Sequence, residues 1–304
     1  MRSLLLGIFF IEISSAQSAN KNWEITHQLI NEANAVDKQL LDEAAGKGMD
    51  NSAKSKSRHA WERVKAHLES LSLEELVETA SSAAESVVQR TELTEDWERE
   101  AAAASNLEFV LSSYHSKNPE PAGIDALVLR IKNHHESIYF RVALLSWFSS
   151  QITQESLPSS YSDHVRAGVI QVSYDLISDS HHPAPVRLAA LVAYNDVTIY
   201  DILSTCKKNE QLRPYLRSME KKSLLFAHLD NGEITVSDEI KKHLMDKNKN
   251  LSWLLNTLEK ELKNDNSPRA KSAIQHILRQ LSNTPIGVME QKEVERLKSE
   301  LRGP

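Results

Sequence analysis

The 304-residue chain contains one cysteine, Cys206, so an intramolecular disulfide is excluded. Its fold must stand on packing alone, which a chain of this length can provide. No activating pattern adjoins Cys206, and it reads as a buried or idle thiol. Glycine and proline are scarce, with 8 and 9 residues. Runs of alternating β-branched residues are nearly absent, which argues against a sheet. Aromatic residues make up 6% of the chain, and the net charge of -6 is spread without a block of one sign. There is no basic stripe and no platform of aromatic and arginine side chains, so nucleic-acid binding has no support. Beyond the N-terminus no apolar run approaches the roughly 20 residues of a membrane-spanning helix. The chain also lacks a G-x-S-x-G elbow, a glycine-rich phosphate loop and an H-E-x-x-H pair.

Alanine, leucine, glutamate and lysine dominate, and all favour helix. Apolar residues at helical spacing recur along the chain: Trp23, Ile30, Ala33 and Leu40, then Trp61, Val64 and Leu68, then Leu76, Ala80, Ala84 and Val87. A further set holds Trp97, Ala101, Ala104, Leu107 and Leu111, where the small alanines admit a close neighbouring helix. The fold expected is all-α, a multi-helix array formed either as a solenoid or as an irregular bundle.

The punctuation is local and chemical. Ser72 and Glu75 form an S-x-x-E capping box, in which hydroxyl and carboxylate each take one of the other's free backbone N–H groups. Ser57, Thr94, Ser137, Ser237 and Ser267 stand where helix caps are expected, and Pro214 and Pro268 suit first turns. Residues 46–57, polar and glycine-containing, read as an exposed loop. The segment Lys117–Pro121 is a breaker, as are Pro158–Ser160 and His182–Pro185. Three regions follow: 1–19, 20–116 and 122–304.

Region 1–19 has the form of a secretory signal. Arg2 supplies the positive start, Leu4 to Ile11 an apolar run too short to span a bilayer, and Ser14, Ser15 and Ala16 the small residues a peptidase needs. The expected location is therefore exported: periplasmic or extracellular, or the secretory lumen if the host is eukaryotic. Asn250-Leu251-Ser252 is a glycosylation sequon that matters only in that second case.

One pattern repeats. Phe140–Leu145 reads FRVALL, Val165–Ile170 reads VRAGVI and Val186–Leu191 reads VRLAAL; Pro268–Ile274 is a looser copy. The shared form is apolar, arginine, any, small, any, aliphatic. Arg141 and Arg187 are 46 residues apart, with Arg166 between them. Over residues 124–205 this resembles the helices of HEAT and armadillo repeats, whose period is about 40–47 residues. The resemblance implies a stack in which small residues let helices approach and aliphatic residues fill the layers. Arg141, Arg166 and Arg187 would reach carbonyls or carboxylates at its edge. Such arrays mostly present surfaces to protein partners, so these arginines are the candidate binding residues.

Chemistry has weaker support. His134 and His135 beside Glu136, and His181 and His182 beside Asp179, are the candidate metal ligands or catalytic groups. Adjacent histidines on a helix diverge, however, whereas helical ligands need a spacing of three or four. The stretch Asp230–Asp238 has the outline of half an EF-hand loop. Aligning Gly232 with the loop glycine puts Ala227 and Leu229 where carboxylates are required, so a turn followed by a Ser237 cap explains it better. No metal or cofactor is therefore expected. The leading expectation is an exported, non-catalytic scaffold for a protein or peptide. Two alternatives are a secreted hydrolase or lyase using a histidine–acid cluster, and a lumenal co-chaperone of an Hsp70 in a eukaryotic host.

Overall fold

The computed structural model describes residues 2–43, 51–114, 121–155 and 162–302; of residues 2–20, 43, 53 and 121 it describes the backbone only. Among the described residues the secondary structure is helical throughout, with no strand. The helices are α1 (Arg2–Glu43), α2 (Asn51–Ser70), α3 (Leu73–Glu85), α4 (Asp96–Leu111), α5 (Pro121–Arg130), α6 (Ile138–Thr153) and α7 (Ser162–Ser178). They continue with α8 (Ala184–Lys208), α9 (Arg213–Arg217), α10 (Met219–Asp230), α11 (Asp238–Asn264), α12 (Pro268–Leu281) and α13 (Val288–Arg302), and a 3-10 turn covers Ser86–Gln89. None of the described helices is long and apolar enough to cross a membrane.

The chain divides into two compact units, Met1–Trp147 and Phe148–Pro304. The division falls within α6. Most of the expected breaker at Lys117–Pro121 lies outside the described residues, as does Pro158–Ser160. The segment expected as a signal, 1–19, belongs from Arg2 onward to the single helix α1.

In the first unit α1 packs against α2 and α3, and α3 against α4. Trp61 on α2 donates from Nε1 to Asp37 Oδ2 of α1 at 2.9 Å, and its ring meets Phe109 of α4 edge-on. The α3–α4 contact is made of small residues: Ala80, Ala83, Ala84 and Ala103 are all fully buried, and Asn106 donates to the Ala83 carbonyl at 3.1 Å. The expected capping box is present. Glu75 N–H donates to Ser72 Oγ at 3.2 Å and Ser72 N–H to Glu75 Oε2 at 2.8 Å.

In the second unit α8 is the axis. It is buried on nearly every side, with Val186, Ala190, Leu191, Tyr194, Val197, Ile202 and Cys206 all in the core, as expected for a helix apolar all round. Helices α7, α9, α11 and α12 pack on it. Helix α11 supplies a single apolar stripe, Leu244, Leu251, Leu254, Leu255 and Leu258. Ser237 and Ser267 cap α11 and α12, accepting from Ile240 N–H at 3.3 Å and Ala270 N–H at 3.1 Å. Pro214 lies in the first turn of α9 and Pro268 begins α12. After α10, Gly232 takes a left-handed φ of 70°, which glycine adopts without steric penalty, and Glu233 N–H closes onto the His228 carbonyl at 2.9 Å.

Several local expectations are corrected. Residues 51–57 are helix, not loop, and Ser57 lies inside α2 rather than at its cap; residues 44–50 lie outside the described residues. The polarity of 51–57 reflects a solvated helical face. Helix α4 begins at Asp96, and its start is organised by Glu98, whose carboxylate accepts from Thr94 N–H at 2.9 Å and Glu95 N–H at 3.1 Å. Trp97, placed on an apolar stripe by periodicity, is 65% exposed. The sequon lies inside α11, with Ser252 Oγ donating to the Asn248 carbonyl at 3.2 Å and contacting Glu290.

Candidate functional site

The three repeat arginines fall in the first two turns of consecutive helices, α6, α7 and α8, and all three are engaged within the chain. Arg141 is a core residue, only 2% exposed. Its Nε donates to the Ile131 carbonyl at 2.7 Å. Burial draws its pKa down, while the Glu136 carboxylate acts the other way. As a buried group it ties the α5–α6 turn to α6 and presents nothing at a surface. Arg166 pairs through Nε with Asp201 Oδ1 at 2.9 Å and also contacts Asp163. Lys247 of α11 reaches the other oxygen of Asp201 at 2.7 Å. One buried carboxylate on α8 thus joins cations from α7 and α11. Arg187 pairs through Nη2 with Glu261 Oε2 at 3.2 Å.

The histidine pairs belong to different units. His134 and His135 are exposed on the α5–α6 turn. His181 and His182 lie in the α7–α8 turn around Asp179, whose carboxylate accepts from His181 N–H at 2.9 Å and lies 2.8 Å from His181 Nδ1. Those contacts, the backbone one foremost, hold the Asp179 pKa below its ordinary value. The arrangement is a side-chain-stabilised turn that starts α8. Among the described residues no group of three or more His, Cys, Asp or Glu is arranged to hold a metal ion.

Cys206 is fully buried, and burial pushes its thiol up to about 12, so it holds its proton and is a poor nucleophile at neutral pH.

Among the described residues a groove of about 360 Å³ lies in the second unit, formed where α7 ends, α8 begins and α11 passes. Its lining is Ile177, Ser178 and Ser180 from the end of α7 and the following turn, Arg187 from the first turn of α8, and Trp253, Thr257, Lys260, Glu261 and Asn264 from α11. The α11 residues recur every three or four positions, so they form one stripe along the helix. Pro183 starts α8: its extended ψ of 141° stops the preceding turn, and its carbonyl accepts from Val186 and Arg187 N–H at 3.0 and 3.1 Å. This places Arg187 one turn into α8.

The groove has an apolar wall and a polar rim. The Trp253 ring lies 4.7 Å from that of Tyr174 and 5.0 Å from that of Tyr194, an aromatic cluster that backs the wall. Tyr194 is buried, and its burial, with Tyr174 adding to it, pushes its hydroxyl up to about 12. On the rim Ser178, Ser180, Lys260 and Asn264 are exposed. Glu261 is buried and answered by Arg187, whose Nε is buried without a hydrogen-bond partner. Lys260 has no ion-pair partner among the described residues. A groove of this size suits a small ligand or a few residues of peptide.

Of the sequence candidates only Arg187 lines this groove. Trp253 is a large apolar residue within the helical stretch of α11, but nothing in its neighbourhood in the sequence indicates a groove. The rest of the lining carried no signal, since its residues converge from positions 177 to 264. Comparison with known proteins finds no matching family model, no similar curated protein and no similar solved structure.

Proposed function

We propose that this chain is an exported helical scaffold that binds a peptide segment of a partner protein in the groove lined by Arg187, Trp253 and Lys260. The observation that carries the reading is the composition of that groove. An apolar wall at Ile177 and Trp253 faces a rim of hydroxyl, amide and charged groups, the combination that holds an apolar side chain while fixing its polar main chain. Export is supported by Arg2, the short apolar run and the small residues after it. The repeat reading is supported by the arginines at the starts of three successive helices.

The direct test is selection of a random peptide library on the purified chain from residue 20. Enriched peptides should lose binding on Thr257→Arg, which fills the groove from an incompletely buried position. Failure to enrich any sequence, or enrichment unaffected by that variant, would remove the groove as the binding site. N-terminal sequencing of the chain recovered from the exported fraction tests localisation; an intact Met1 would remove the cleaved signal.

A further inference from the structure

We propose that the groove selects an acidic peptide segment, one in which a carboxylate lies next to an apolar or aromatic side chain; this rests on the peptide-binding reading above. The charges on the lining decide the sign. Glu261 is already paired with Arg187 at 3.2 Å, so the groove's one carboxylate is neutralised from within. Asp265, which also feels Arg187, is satisfied first by Ser267, whose N–H donates to its Oδ1 at 2.9 Å. What remains is the exposed ammonium of Lys260 on the rim, the lining cation that no carboxylate among the described residues answers. It is a donor best completed by an anionic acceptor, since charge-assisted hydrogen bonds are stronger than neutral ones.

The rest of the groove assigns the flanking chemistry. Trp253 and Ile177 add apolar surface to the same lining as Lys260. Thr257 donates its hydroxyl hydrogen to the Trp253 carbonyl at 2.9 Å, so its oxygen is left as an acceptor for a peptide N–H. Ser178, Ser180 and Asn264 add donors and acceptors at the rim.

A polyanion fits less well than a single carboxylate. Nucleic acid requires many cations along a track, whereas this groove has one cation left unanswered, Lys260, and the chain carries a net charge of -6. Long-range repulsion from that net charge grows with each phosphate, while a short segment with one carboxylate pays it once and gains the local pairing.

The test uses three labelled, end-blocked octapeptides that share a central phenylalanine and differ only in the preceding residue: aspartate, asparagine or lysine. Fluorescence anisotropy at low ionic strength should show the aspartate peptide binding about tenfold tighter than the asparagine one, the scale of one charge-assisted contact of about 1.4 kcal/mol. The lysine peptide should bind weakest. Lys260→Glu, at an exposed position that leaves the core untouched, should reverse the order of the aspartate and lysine peptides. Equal affinity for aspartate and asparagine, or an unchanged order in Lys260→Glu, would overturn the acidic preference and leave peptide binding standing. Failure of all three peptides, with library selection also empty, would overturn both readings. A single-stranded oligonucleotide that outcompetes the aspartate peptide at equal concentration would overturn the carboxylate in favour of phosphate.

Discussion

Arg187 Nη2 lies 3.2 Å from Glu261 Oε2, joining residues 74 apart in the chain and fixing the first turn of α8 to the far part of α11. Both side chains are largely buried, at 18% and 10% exposure, so each depends on the other. Replacing either alone leaves an unanswered charge in a partly dry site. Arg187→Leu or Glu261→Leu should each cost about 2–3 kcal/mol, and the double variant less than the sum. Urea unfolding of the four proteins checks this; strict additivity would show that the pair is not coupled.

Asp201 is the second such junction, serving Arg166 at 2.9 Å and Lys247 at 2.7 Å. Asp201→Asn removes the buried carboxylate that joins these two cations. A loss of about 3 kcal/mol is expected in chemical denaturation. A loss below about 1 kcal/mol would place the pair in effective contact with solvent, where ion pairs contribute little.

Tyr194 gives the fold an alkaline limit. Its pKa is pushed up from 10.0 to about 12 in the folded chain, so the neutral hydroxyl is the form the core favours. Its contribution to stability is complete below pH 10 and is lost as pH rises toward 12. Absorbance titration should show late-ionising tyrosine from Tyr194 and from Tyr200, whose pKa burial also raises, and Tyr194→Phe should reduce both the late signal and the stability lost across that interval. Normal titration of every tyrosine in the folded state would contradict the burial.

Cys206 should resist alkylation in the native chain at pH 8 and react once urea unfolds it, because burial suppresses both its thiolate and access to it. Mass spectrometry after iodoacetamide treatment reads this directly. Rapid native labelling would mean that α8 opens readily.

The capping box at Ser72 and Glu75 predicts a smaller effect. Ser72→Ala should cost about 1 kcal/mol, within the range for cap residues. Thermal melts of the variant check it, and an unchanged melting temperature would show that α3 holds its start by tertiary contacts alone.

The caps at Ser72, Ser237 and Ser267 were legible in the sequence because each rests on a hydrogen bond spanning three residues. The exposure of Trp97 was not, since helical periodicity groups residues on a face without saying whether a neighbour covers the first turn. Residues 51–57 misled for a related reason: a solvated helical face and a loop have the same composition. The three arginines of the repeated pattern bond within the chain, to the Ile131 carbonyl and to the Asp201 and Glu261 carboxylates, but Arg141 does so in the core rather than at an edge. Whether an arginine ends in the core, as Arg141 does, or in a groove, as Arg187 does, depends on what packs over it.

The sequence by itself determined that the chain is helical, where several helices begin and that Cys206 has no disulfide partner in the chain. These follow from propensity, local hydrogen bonds and counting. Only the tertiary structure decided which cations are consumed by internal pairs, which aromatic lines a groove and that Lys260 on its rim is left without an ion pair among the described residues. Those outcomes depend on how α7, α8 and α11 pack, and packing brings together residues whose separation along the chain carries no periodic signal.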